Sequence, residues 1–206
     1  MESATVTVGH HGEEHHGPPE ANRSSRVEPQ LLGMLLFIIS EVMIFGAFFT
    51  AYFFIRVVNA DPWPAHGTEL PVAVAGVNTA ILVSSSFTVH YALESIRRGN
   101  RAGMKLGMVL TWMLGATFLF IQINEYVDLG FSARDLSFGT IFYSLTGLHG
   151  AHVFVGLMLL SFATIRAFRG HFGPDAKDHL GVEVPGIYWH FVDVMWIIVY
   201  VTVYIL

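Results

Sequence analysis

The chain has 206 residues, 53% of them apolar and only 13% charged, with 17 Phe and a mean hydropathy of +0.53. A soluble domain of this size carries about 25% charged residues, so this composition excludes an ordinary cytosolic or secreted fold and indicates a bilayer. There are no cysteines, which excludes disulfides, thiolate metal sites and Cys nucleophiles, and a net charge of −5 offers no basic face for nucleic acid.

Residues 1–30 differ in kind from the rest. The stretch HHGEEHHGPPE is polar, rich in Gly and Pro, and has no apolar periodicity, so it reads as a disordered tail. It lacks the positive start, apolar core and small-residue cleavage site of a signal peptide. The pairs His10-His11 and His15-His16 can capture zinc or copper incidentally, as flexible His tracts do.

Residues 31–206 read as one all-α membrane bundle of five transmembrane helices. The expected spans are about 31–57, 76–96, 106–127, 139–165 and 186–206, each long enough for a hydrocarbon layer of about 30 Å. The second span carries Asn78, Thr79, Ser84, Ser85, Ser86, Thr88, His90 and Glu94. A helix that polar must face protein along much of its length. The loop NADPWPAHG after the first span places Trp63 between two prolines, in the manner of an interfacial anchor.

Loop charge sets the expected orientation. Nine of the eleven Lys and Arg fall on one side: Arg23, Arg26, Arg97, Arg98, Arg101, Lys105, Arg166, Arg169 and Lys177. Only Arg56 and Arg134 fall opposite. The positive-inside rule then gives a cytoplasmic N-terminus and an external C-terminus.

Ionisable residues within the spans are costly and so mark candidate sites. Glu41 lies ten residues beyond Leu31, roughly 15 Å deep at the helical rise. It should be either protonated or tied to a polar partner on another helix. Its candidate functions are a proton relay or a carboxylate sensing an adjoining pathway; the structural alternative is a glutamate that fixes helix packing. His149 and His152 share a face of the fourth span at i, i+3, as do His190 and Asp193 on the fifth. By depth, Glu41, His149, His152 and Asp193 form a layer that could hold iron, zinc or copper. The di-iron pattern of paired Glu-x-x-His with two further Glu is missing, so an interhelical hydrogen-bond network is the favoured reading. Gly147 and Ala151 form a small-xxx-small pair that suits close helix packing. Glu94 and Glu125 fall near span ends, where a carboxylate reaches water.

Three segments, in this order, carry a family likeness: IISEVMIFGAFF around Glu41, LTGLHGAHVFVG in the fourth span and YWHFVDVMWIIVYVTVYI in the fifth. With NEY at the end of the third span, they resemble subunit III of the haem-copper oxidases from about Leu31 to Leu206. The resemblance implies a helix bundle bound directly to catalytic subunit I, with subunit II, other respiratory subunits and cytochrome c as further partners. Haem and copper would lie in those partner subunits, with no catalytic or metal site in this chain. Glu41 would match the family's buried, carbodiimide-reactive carboxylate, and Glu41, His149, His152, His190 and Asp193 would form a buried polar network. His152 is its favoured partner for Glu41. Arg166 would match a residue that holds a lipid phosphate, making structural phospholipid a ligand. The role implied is support of proton uptake, lipid binding and protection from inactivation during turnover, in a bacterial cell membrane. Longer family members have seven spans with lipids in a cleft after the first two; this chain matches the last five. A quinol oxidase subunit and an accessory relative of nitric oxide reductase are the alternatives within this lineage. A free-standing di-metal membrane oxidase and a proton-coupled transporter are the alternatives outside it.

Overall fold

The computed structural model describes residues 28–59, 63, 70–134, 137–170, 172 and 179–206. The His-rich tail with Arg23 and Arg26, Lys177, and the NADPWPAHG loop apart from Asn59 and Trp63 lie outside the described residues. Among the described residues, five helices are long and apolar enough to cross a membrane: α1 (Pro29–Val58), α2 (Val72–Arg97), α3 (Arg101–Asp128), α4 (Ser137–Phe168) and α5 (Leu180–Tyr200). Among the described residues there is no strand.

The spans sit where apolar runs place them, but α2, α3 and α5 begin earlier than expected, α3 at Arg101 rather than near Leu106 because Asn100 caps it there. α2 starts at Val72 rather than near Gly76, because Val72, Ala73 and Val74 extend the apolar run back to Pro71. α5 starts at Leu180 rather than Gly186, passing through Pro185. Pro185 removes only the bond to the Gly181 carbonyl, close to the helix start, where the lost bond is easiest to bear. Packing compensates: the Phe172 ring lies against Gly181, where a Cβ would come within 2.4 Å of it, and Val182 beside it is fully buried.

α2 and α3 form a tight antiparallel hairpin. Gly99, at φ +73°, reverses the chain after α2, and Asn100 caps α3 by accepting the Gly103 N–H at 3.0 Å. The helices can approach closely because Gly107 faces α2; a Cβ there would lie 2.8–2.9 Å from Ala92 and the Thr88 carbonyl. α5 occupies the centre, touching α1, α2 and α4, and it buries Trp189, Trp196, Tyr188 and Val192. Trp189 fits because Gly115 on α3 and Gly156 on α4 leave room for its ring. Gly147 has open space beside it and Ala151 is exposed, so the expected small-xxx-small pair is not the packing seam. The seam uses Gly156, on a different face of α4. α1 is the peripheral helix. Among the described residues its main helix contacts are with α4 and α5, and it buries Phe45 and Tyr52.

α5 ends in a π-helical turn, Val201–Ile205, closed by the Leu206 N–H to the Val201 carbonyl at 3.0 Å. The wider turn keeps Thr202, Val203 and Tyr204 all buried.

Candidate functional site: intramembrane polar contacts

Glu41 projects from α1 toward α4. Its Oε2 lies 2.8 Å from His152 Nε2, the partner the family resemblance favoured over His149, and both side chains are nearly covered, at 14% and 11% exposure. The other ring nitrogen, Nδ1, lies 2.7 Å from the Leu148 carbonyl. A carbonyl only accepts, so Nδ1 carries a hydrogen and donates. Two arrangements remain for the contact. A protonated Glu41 donates to a neutral imidazole, or an imidazolium donates to a Glu41 carboxylate. Either way one proton is shared and the pair is neutral overall, which is what makes it tolerable in lipid. Phe45, fully buried one turn along α1, packs on the His152 ring at 4.9 Å, and the Tyr188 hydroxyl donates to the His152 carbonyl at 3.3 Å.

The remaining residues of the expected layer do not join this pair. Ser86 on α2 donates to Asp193 Oδ2 on α5, and His190 Nδ1 lies 3.2 Å from the same hydroxyl. With its one hydrogen given to Asp193, the Ser86 oxygen accepts from His190. This second cluster ties α2 to α5. His149 stands alone: it is fully buried, with neither ring nitrogen hydrogen-bonded. It lies against Trp196 at 4.7 Å and edge-on to Phe118 at 5.8 Å. The single network therefore resolves into two contacts and an isolated imidazole. Helix geometry gives the reason: i, i+3 leaves two side chains about 60° apart around the axis. His152 turns to α1 while His149 turns into the bundle centre.

Among the described residues, no three His, Asp or Glu side chains gather closely enough to share a metal ion. Arg166 is exposed in the last turn of α4, its guanidinium over Phe162 at 5.9 Å and Phe172 at 5.6 Å. Trp63 donates from Nε1 to the Tyr52 hydroxyl at 3.0 Å and meets Phe138 edge-on at 5.0 Å. It thus clamps α1 to α4 as well as sitting at a span end. Glu94 is half-buried and pairs with Arg98 at 2.8 Å. Glu125 differs. It is 6% exposed and accepts from the Tyr204 hydroxyl at 2.7 Å. Depth alone put it at the water boundary; Gln122 one turn away on the same face was the sequence signal that this stripe turns inward.

The arrangement links helices and shares protons. Comparison with known proteins gives it a lineage. The sequence matches the cytochrome c oxidase subunit III family over residues 21–206. The chain belongs to that family. Cytochrome c oxidase subunit 3 of Thermostichus vulcanus is 43% identical over 178 residues, covering 86% of this chain and 87% of the relative. The Synechocystis sp. protein of the same name is 39% identical over 207 residues, covering 99% and 83%. That of Rattus norvegicus is 38% identical over 178 residues, covering 84% and 67%. The family's members are subunits of a respiratory oxidoreductase complex, and a multi-pass membrane chain with other oxidase subunits as partners follows from that membership. The free-standing oxidase and the transporter give way to it.

Proposed function

We propose that this chain is the non-redox subunit III of a proton-pumping terminal oxidase that passes electrons from cytochrome c to O₂. The observation that carries the reading is the family match along residues 21–206, with relatives named for cytochrome c rather than quinol. The chain packs against catalytic subunit I, beside subunit II, in the cell membrane, with its N-terminus cytoplasmic and C-terminus external. Haem and copper belong to the partner subunits. The donor sets here suit that division, since among the described residues no three His, Asp or Glu side chains gather closely enough to share a metal ion.

The supporting role rests on what the residues do. The Glu41–His152 pair holds α1 to the bundle and keeps one shared proton within the membrane, which suits a group that assists proton uptake by the neighbouring catalytic subunit. Arg166, exposed at the helix end beside Phe162 and Phe172, suits a lipid phosphate at the cytoplasmic boundary. Purifying the tagged chain in mild detergent tests the reading through visible spectra, metal analysis and identification of its companions. The expected result is co-purification with a haem-containing oxidase whose haem and copper stay with the partners when this chain is stripped away. Stoichiometric haem, copper or iron on the stripped chain overturns it.

A further inference from the structure

Two hollows adjoin along the outer seam of α3 and α4. The first, of about 280 Å³, is lined by Val109, Trp112, Ser161 and Ile165 among others. The second, of about 340 Å³, runs on past Ala116, Phe120, Phe154 and Met158. Trp112 and Ser161 line both hollows, and Trp112 Nε1 donates to the Ser161 hydroxyl at 2.8 Å, so this bonded pair marks their junction. Lys105, Val109, Trp112, Ala116 and Ile123 fall within about 60° of one another around α3, a single stripe along the groove. Arg101 extends that stripe by one turn.

An apolar groove in a bilayer gains nothing by its apolarity, because lipid tails are as apolar as the helices. What sets this groove apart is its end. Lys105 Nζ lies over the Phe168 ring at 5.2 Å, bridging α3 and α4 one turn beyond the first hollow. Arg101 is exposed one turn further on, beside the unpaired N–H groups at the start of α3, the positive end of that helix. No Asp or Glu occurs in α4, or in α3 before Glu125. The nearby cations Arg97 and Arg98 are paired with Glu183 and Glu94, whereas among the described residues neither Arg101 nor Lys105 meets a carboxylate. The length fits as well. Ten residues of rise from Lys105 cover about 15 Å, half of a hydrocarbon layer of about 30 Å. One acyl chain starting at Lys105 therefore fills the first hollow and enters the second.

We propose that the α3–α4 groove holds one acyl chain of an anionic phospholipid, with its phosphate at Lys105 and Arg101. Zwitterionic lipids offer the same chain and a phosphate, but two unpaired cations at the membrane boundary favour a head with net negative charge, severalfold for each cation. The inference rests on the chain being a membrane subunit, which co-purification tests separately. It does not rest on Arg166, which stands about 140° around α4 from Ser161, with its guanidinium over Phe162 and Phe172.

Photolabelling of the intact oxidase complex in vesicles tests this. The probe is phosphatidylglycerol carrying a diazirine on one acyl chain, compared with the matching phosphatidylcholine, and mass spectrometry locates the label. The phosphatidylglycerol probe should label residues 109–123 and 154–165 severalfold more than the phosphatidylcholine probe. Arg101→Gln with Lys105→Gln should bring the two probes level, and Arg166→Gln should leave the difference intact. Should the double variant fail to assemble, Lys105→Gln alone is read in the same way. Equal labelling by the two probes in the wild-type complex overturns the proposal, because the groove then holds ordinary solvating lipid. No labelling of the groove by either probe, with the outer face of α1 still labelled, overturns it in favour of a covering protein chain. A difference that survives the Lys105 variants, or that Arg166→Gln abolishes, places the lipid head elsewhere and overturns it too.

Discussion

Replacing Glu41 by Ala removes the carboxyl that holds His152 Nε2, while Nδ1 stays bonded to Leu148. A buried imidazole nitrogen left unpaired costs about 1–3 kcal/mol. At one tenfold change per 1.4 kcal/mol, that is a roughly 5- to 150-fold shift in the equilibrium for releasing α1. Glu41→Gln should lose much less, because the new amide N–H can donate to Nε2; forfeiting the charge-assisted component costs about 1 kcal/mol. His152→Leu breaks the same contact from the other side and strands the carboxyl, a larger penalty of about 3–5 kcal/mol if the carboxylate is ionised. Glu41→Leu with His152→Leu removes both partners and should recover most of the loss, since apolar replacement of a whole buried pair is close to neutral. The assay is retention of this subunit on the oxidase as detergent or temperature is raised. Glu41→Gln should also leave the haem spectra and initial turnover near normal. Wild-type retention by Glu41→Ala, or a double variant worse than the sum of its singles, would refute the anchoring role. Immediate loss of oxygen reduction in a fully assembled Glu41→Gln complex would refute the supporting one.

Two further outcomes follow from the packing and the loop charges. Gly115→Ala places a Cβ 2.4 Å from the Trp189 ring and 3.1 Å from Leu157, so it should destabilise the bundle by about 1–3 kcal/mol, read as a lower melting temperature of the isolated subunit in detergent, whereas Gly33→Ala, with nothing nearby, should not. Cysteines introduced singly at Arg101 and Arg134, at opposite ends of the α3 region, should label from opposite sides of intact cells, the first cytoplasmic and the second external.

What the sequence revealed and what it hid divide along a physical line. Span existence was legible because a bilayer demands long apolar runs, and Glu41 stood out because nothing near it in sequence except Ser40 is polar. Depth, the one coordinate that counting residues supplies, left both His149 and His152 as partners for it, and only the family resemblance favoured His152. Angle is the coordinate that counting does not supply. Whether His149 or His152 faces α1 depends on how α4 rotates against its neighbours, and that rotation is set by Trp189 seating between Gly115 and Gly156. Glu125 was misplaced for the same reason. Its depth is shallow, but Tyr204 covers it from a π-turn 79 residues later, and a π-turn has no reliable sequence signature. The early start of α5 is likewise a packing effect: the cost of Pro185 falls near a helix start, where packing on Phe172 and burial of Val182 outweigh it.

The way α1 is attached follows from the solvent it lives in. Its outward face exposes Leu36, Ile39, Met43, Phe54 and Val57, and in a bilayer that exposure supplies no drive toward the bundle, because lipid tails are as apolar as the helix. Directional contacts must do what the hydrophobic effect does in water. Among the described residues three are present: Glu41 to His152, Tyr52 to Trp63, and Arg56 to the Leu206 carbonyl at 2.8 Å. Positions 41, 52 and 56 fall within about 60° of one another around the helix, so they form a single stripe facing the bundle. Phe45 packs between the first two ties and is fully buried. Such a stripe fixes both the rotation and the depth of α1, which apolar packing against lipid leaves free. An ionisable pair in the membrane is then no anomaly: it sits at the deepest of the three ties, where competing water is scarcest and a hydrogen bond is worth most.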